Sequence, residues 1–295
     1  MISQENIKLV LEEVANRHRL TPIRKVEGGD QGNTLYLFED NEESKLVVKF
    51  GNDKEVGDNV KGYEALRKIG LEDMLPQPLI FEEIEGVPLI IMEYVGVDFR
   101  NRVSEEQEPV KLYSSLVNLM DPLYTQSLTG NGQESRLFLE ARKEKLIGYS
   151  KLFGDVFSTD QLEMVEGVRI PENLNESCFA VFDFTPDNVF IKDGKIRYID
   201  PKDEVLGNPI LELAAFAGVS RDRYLLAGSV EGHEIIRDYA LNELADKLKM
   251  ESQDAELVWN LGRATQCLLS ARFHSEPSGR KKFAVDSMEY MEMLQ

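Results

Sequence analysis

The sequence predicts an α+β chain of two unequal lobes: a small β-rich lobe over residues 1–95 and a larger, mainly helical lobe over residues 96–295. Three observations predict this division. Short apolar runs separated by glycine-containing and acidic turns occupy the first third of the chain. From Asp98 onward apolar residues recur three and four positions apart, the spacing of one helix face. One strong hairpin signal, Asp193-Gly194, interrupts that helical territory.

In chain order, Ser3 can cap a first helix whose apolar stripe is Ile7, Val10, Leu11 and Val14. Residues 26–38 read as strand, turn and strand, with Gly28, Gly29 and Gly32 at the turn. A glycine-rich turn lets backbone N–H groups approach a phosphate, because glycine carries no Cβ. Lys45-Leu-Val-Val-Lys-Phe50 reads as a buried strand, and Asp53 as the cap of a helix running to about Ile69. Residues 79–81 form a further strand, and residues 89–96 the last strand of the small lobe, with Met92 near its end. Helical spacing follows over 112–127, 136–153, 159–167, 241–250, 255–272 and 285–294, with Gly130-Asn-Gly132 separating the first two.

The hairpin joins Val189-Phe-Ile-Lys192 to Lys195-Ile-Arg-Tyr-Ile199. Asp-Gly between such runs suits a type I′ turn, which needs positive φ at both central residues. Counting outward, Ile191 faces Ile196, Val189 faces Tyr198 and Asn188 faces Ile199. Asp200 then emerges beside Asn188, since directly opposite residues lie about 5 Å apart. Asp183 lies in the loop that feeds the first strand. An amide oxygen and a carboxylate together suit Mg²⁺, which takes hard oxygen ligands and shares them with substrate phosphates. A further free carboxylate, Asp183, can receive the proton of an attacking hydroxyl.

Asp183-Phe-Thr-Pro-Asp-Asn188, then Tyr198-Ile-Asp-Pro-Lys202, then Gly207-Asn-Pro-Ile-Leu-Glu-Leu-Ala214 resembles the aminoglycoside phosphotransferase / choline kinase-like family. Members typically read H-G-D-x-x-P-x-N, I-D-F/P and G-D-P-x-x-D-L-A, and the Ile-Asp-Pro-Lys form is most similar to streptomycin kinase-type members. Two departures stand out: Val181-Phe182 replaces His-Gly, and Glu212 replaces the Asp of the last motif. In the family those residues brace the catalytic loop.

The resemblance implies a bilobal protein kinase-like fold, ATP (or GTP) and Mg²⁺ as cofactors, and phosphoryl transfer to a hydroxyl. It implies Asp183 as catalytic base, and Asn188 and Asp200 as metal ligands. Lys49 would hold the α- and β-phosphates, and Glu64, 15 residues on, would orient it. Gly28, Gly29 and Gly32 would approach the phosphates. Met92 would face the base, with Glu93 and Val95 pairing its edge through their main chain.

Net charge is −19 with three histidines and two cysteines. An acidic chain of this kind argues against nucleic-acid and anionic-membrane partners. Cys178 and Cys267 are distant in sequence and suit reduced core positions, and the charged N-terminus does not resemble a secretion signal, so a cytoplasmic location is expected. The acidity serves solubility first, and a cationic small-molecule acceptor second. Two other readings share these residues. One is a pseudokinase or nucleotide-binding scaffold, favoured by Val181-Phe182; the other is an atypical protein kinase, against which stands the lack of a clear activation segment between Asp200 and Glu212. Oligomeric state is not encoded in any feature of the sequence.

Overall fold

The computed structural model describes residues 4–26, 34–105, 108–180, 184–201, 206–222, 229–273 and 277–294. The chain divides into two compact units, one of Met1–Gly96 with Arg197–Asp203 and one of Val97–Ile196 with Glu204–Gln295. The segment Arg197–Asp203, which the sequence reading left in the helical part, thus belongs with the first unit.

The first unit is a five-stranded antiparallel sheet with helices α1 (Gln4–His18) and α2 (Asp53–Lys68). Its strands are β1 (Thr21–Val26), β2 (Thr34–Glu39), β3 (Lys45–Phe50), β4 (Leu79–Ile84) and β5 (Val87–Glu93), in the order β1-β2-β3-β5-β4. Strand alternation explains the layering. Leu46, Val48 and Phe50 of β3 and Leu89 and Ile91 of β5 join Val10 and Val14 of α1 in one apolar cluster. Odd-numbered positions of β3 therefore face the other way, among them Lys49, which pairs across the sheet with Leu35 and Ile90. α2 supplies that face: its Tyr63 hydroxyl lies 3.9 Å from the Met92 sulfur, and the Tyr63 ring packs on Phe81. The cap of α2 is Asn52, one residue earlier than expected; its side chain accepts from the Glu55 N–H at 3.0 Å. The edge strand β1 is exposed along Thr21–Lys25 and carries Pro22, a residue that blocks further pairing at a sheet edge.

The second unit is mainly helical. It contains α3 (Phe99–Glu105), α4 (Pro109–Gln126), α5 (Gln133–Leu152), α6 (Thr159–Gly167), α7 (Pro209–Asp222), α8 (Ser229–Asp238), a π-helical stretch Tyr239–Leu244, α9 (Ala245–Lys247), α10 (Ser252–Phe273) and α11 (Pro277–Glu292). α10 is its axis, with Val258, Leu261, Ala264, Cys267, Leu268 and Ala271 all fully buried. α7 crosses α10 closely enough that a Cβ at Gly262 would fall 2.4 Å from the Leu211 carbonyl oxygen, which explains glycine there. Two short pairings complete the unit's β content. β6 (Cys178–Phe179) pairs with β9 (Leu206–Gly207), and β7 (Val189–Lys192) pairs with β8 (Lys195–Tyr198), whose last residues pass into the first unit. The β7–β8 turn has φ of 51° at Asp193 and 70° at Gly194, both positive as an Asp-Gly type I′ turn requires. The predicted α+β composition is met, with the sheet N-terminal and the helices C-terminal. No helix among the described residues is long and apolar enough to cross a membrane.

Candidate active site

Within the first unit, β3 carries Lys49 into the layer under α2, where only 2% of its surface stays exposed. A buried ammonium must be hydrogen-bonded and balanced by charge. Among the described residues two groups meet it: Nζ donates to Asp200 Oδ1 at 2.6 Å and to Asn59 Oδ1 at 3.1 Å. Asp200 follows β8 and precedes Pro201, whose ring disfavours the right-handed helical region for the residue before it. Asp200 takes φ of 56°, the left-handed region that Asp tolerates better than most residues. Its side chain is 29% exposed although one oxygen is held by Lys49. The site therefore joins a caged cation to a carboxylate that also faces solvent.

The helix partner of Lys49 is a correction to the sequence reading. Glu64 was expected there, yet Glu64 is exposed, and the α2 residue on Lys49 is Asn59. Helix geometry gives the reason: five residues at 100° each place Glu64 about 140° around the axis from Asn59. Asn59 is fully buried, and its Nδ2 donates to the Pro201 carbonyl oxygen at 3.3 Å. A signal for it existed in the sequence. Val56, Asn59, Tyr63 and Leu66 share one helical stripe, and Asn59 is the polar residue among apolar ones. Tyr63 lies one turn beyond Asn59. Burial pushes its phenol well above the ordinary range, the Asp200 carboxylate adds to that, and a hydrogen bond from the Asp200 backbone works the other way. Tyr63 is therefore a neutral wall of the site.

The strand-end residues named from sequence cluster nearby. Met92 is buried on the α2 face. Glu93 Oε2 accepts from the Gln77 N–H at 3.2 Å and lies 3.8 Å from Arg197 Nε, so its side chain ties the 197–203 segment to β5. The N–H groups of Glu93 and Tyr94 donate to the carbonyls of Pro78 and Lys45 at 3.1 and 2.9 Å. Val95 is buried, and Gly96 after it has φ of 95°, a bend that favours glycine. Gly28, Gly29 and Gly32 lie outside the described residues.

In the second unit, Asn188 is half-buried and its N–H donates to the Thr185 carbonyl at 3.0 Å, closing the turn that starts β7. Asp183 lies outside the described residues. Its neighbour Phe184 is buried, with ring centroids 5.3 Å from Phe216 of α7 and 6.2 Å from Phe179 of β6. An aromatic anchor thus holds the chain at Phe184. Glu212, the other departure, is buried in the first turn of α7 and paired with Arg142 of α5. Sequence reasoning missed Arg142, which is one of many basic residues until α5 is placed against α7. β6 pairs with β9, and its Phe179 N–H donates to the Ser127 hydroxyl at 2.8 Å; the Ser135 hydroxyl lies 2.8 and 2.9 Å from the carbonyl oxygens of Glu176, just before β6, and Gly207 of β9.

No protein-family model and no curated protein sequence matches the chain. Solved structures do. Aminoglycoside phosphotransferase APH(4)-Ia, in ternary complex with AMP-PNP and hygromycin B, superposes with a TM-score of 0.63 at 16% identity over 97% of each chain. Plasmodium vivax ethanolamine kinase gives 0.58 at 13% identity over 98% of this chain and 90% of its own. The streptomycin–ATP complex of aminoglycoside phosphotransferase APH(2'')-IIa gives 0.57 at 14% identity over 100% and 99%. At such identities the likeness is one of fold, and it spans essentially the whole chain: this protein has the protein kinase-like fold that small-molecule kinases share.

Proposed function

We propose that the chain is a phosphotransferase that moves the γ-phosphoryl group of ATP to a hydroxyl of a small, amine-bearing molecule. The observation that carries the reading is the direct contact of Lys49 with Asp200, a buried cation against a partly exposed carboxylate, on a fold shared with small-molecule kinases. Lys49 would hold the α- and β-phosphates, and its 2% exposure keeps bulk water from screening that charge. Met92 would line the adenine pocket. With the N–H groups of Glu93 and Tyr94 already engaged, the main-chain donor to the base would be Val95 and the acceptor the Glu93 carbonyl. Gly28, Gly29 and Gly32 would approach the phosphates.

Asp200 and Asn188 would hold Mg²⁺, which takes hard oxygen ligands; an Asp200 carboxylate with 29% of its side chain open to solvent supports that role. When bound, the ion would supply charge neutralisation at the phosphates. Asp183 would take the acceptor's hydroxyl proton as the acceptor oxygen bonds to the γ-phosphorus. The bond from that phosphorus to the bridging oxygen breaks, and ADP leaves with the electron pair.

The acceptor class follows from charge. The chain carries a net charge of −19, and such a field favours cationic partners. Hygromycin B and streptomycin, bound by two of the structural neighbours, are amine- or guanidine-bearing molecules with hydroxyls, and ethanolamine is an amino alcohol. A cytoplasmic setting, where ATP is supplied, belongs to this proposal. The test is ADP formation by the purified protein with Mg²⁺, ATP or GTP, and a panel of amino sugars, amino alcohols and neutral sugars. Acceptor-dependent ADP formation is expected with amine-bearing members. Stimulation by none of them, or by neutral sugars alone, contradicts the proposal.

A further inference from the structure

We infer that Asn59 is the residue that positions Lys49 for phosphate binding, a neutral amide doing from α2 what a carboxylate was expected to do. The inference rests on the phosphotransfer reading and adds a residue to it. Three observations carry it. Asn59 is fully buried, so its amide has no water to satisfy it and both ends must find partners in the protein. Its oxygen accepts from Lys49 Nζ at 3.1 Å and its nitrogen donates to the Pro201 carbonyl at 3.3 Å. These partners fix the amide's orientation, since the reversed amide would set an NH₂ against an ammonium and an oxygen against a carbonyl. One side chain therefore holds the cation of β3 and the backbone immediately after Asp200, and so sets their separation.

The neutrality of the amide has a chemical consequence. A helix carboxylate would share the charge of Lys49 even when phosphates are bound. Asn59 aligns the ammonium without neutralising it, which leaves Asp200 as its carboxylate partner among the described residues. An arriving phosphate would then meet a cation whose charge is shared, among the described residues, with Asp200 alone. Glu64, exposed and on another face of α2, takes no part.

The experiment compares ATP with adenosine, which has no phosphate, by calorimetry and ligand-observed NMR with Mg²⁺ present. Asn59→Ala is the first variant. Asn59→Leu, which keeps the branched outline and the number of heavy atoms, is read beside it so that a cavity alone does not decide the result. Each is expected to weaken ATP by about ten-fold or more and adenosine by less than about two-fold. In a Lys49→Ala background, Asn59→Leu is expected to change ATP affinity by less than about two-fold, because the residue acts through Lys49. Equal losses for ATP and adenosine, or an undiminished effect without Lys49, overturn the inference and make Asn59 a packing residue. Failure of the wild type to bind either ligand overturns the phosphotransfer reading itself, and this inference with it.

Discussion

Lys49 Nζ and Asp200 Oδ1 lie 2.6 Å apart although the two residues are 151 positions apart in the chain. The pair depends on strand alternation in β3, which turns Lys49 away from the apolar cluster, and on the return of residues 197–203 to the first unit. Under the proposed function these two groups serve nucleotide and metal. Mg²⁺–ATP should therefore stabilise the wild type, by about 2.7 kcal/mol at a hundred times its Kd. Lys49→Ala and Asp200→Ala are each expected to remove most of the rise in melting temperature. A full rise in either variant would place the phosphates elsewhere.

The Arg142–Glu212 pair predicts a stability effect that owes nothing to ligand. Both side chains are buried, at 7% and 3% exposure, so removing one strands the other's charge. Arg142→Met is expected to destabilise the chain by roughly 3–5 kcal/mol, while Arg142→Met with Glu212→Leu should recover much of that loss. Denaturant unfolding of the two single variants and the double variant measures it. Additive losses would show that the pair does not act as a unit.

Glu176 predicts a pH dependence. The Lys249 ammonium, and then the Gly130 N–H, hold its carboxyl below the ordinary value, outweighing the effect of burial. A depressed folded-state pKa stabilises the fold above the unfolded pKa, and that contribution is lost as pH falls through the folded pKa. Glu176→Gln should therefore unfold more easily than wild type near neutrality, with the gap closing in acid below the ordinary carboxylate range. Lys249 is 65% exposed, so water weakens the pair and the effect should be small. A gap that is constant across pH would mean that the charge of Glu176 is not what matters.

The acceptor's charge predicts a salt dependence. Attraction between an acidic protein and a protonated amine weakens as added salt shortens the Debye length. The apparent affinity for an amine-bearing acceptor should fall between about 50 and 500 mM salt, more steeply than for a neutral analogue. Parallel curves would put the acidic residues outside the acceptor's reach.

Much of this site was legible in the sequence, for local reasons. β3 was found with both ends correct, because a run of Leu, Val and Val between two lysines leaves little choice. The hairpin was found because Asp193-Gly194 dictates its own backbone. Asn59 was passed over in favour of Glu64. Distance along the chain suggested the acid, whereas the face of α2 decides which residue meets Lys49. Arg142 could not be paired with Glu212 because 70 positions and the packing of two helices lie between them. Likewise, the aromatic anchor at Phe184 emerges only once Phe179 and Phe216 meet it from different elements.

The most direct test of the central claim is ³¹P NMR of a reaction containing Mg²⁺, ATP and the acceptor that best stimulates turnover, with wild type and Asp183→Asn in parallel. Wild type should convert the γ-phosphorus signal into a phosphomonoester of the acceptor, with ADP in equal amount. Asp183→Asn should bind Mg²⁺–ATP as the wild type does yet form ester about 10²–10⁴-fold more slowly, the usual scale for a lost general base. Free phosphate in place of an ester, or an Asp183→Asn rate equal to wild type, would contradict the account.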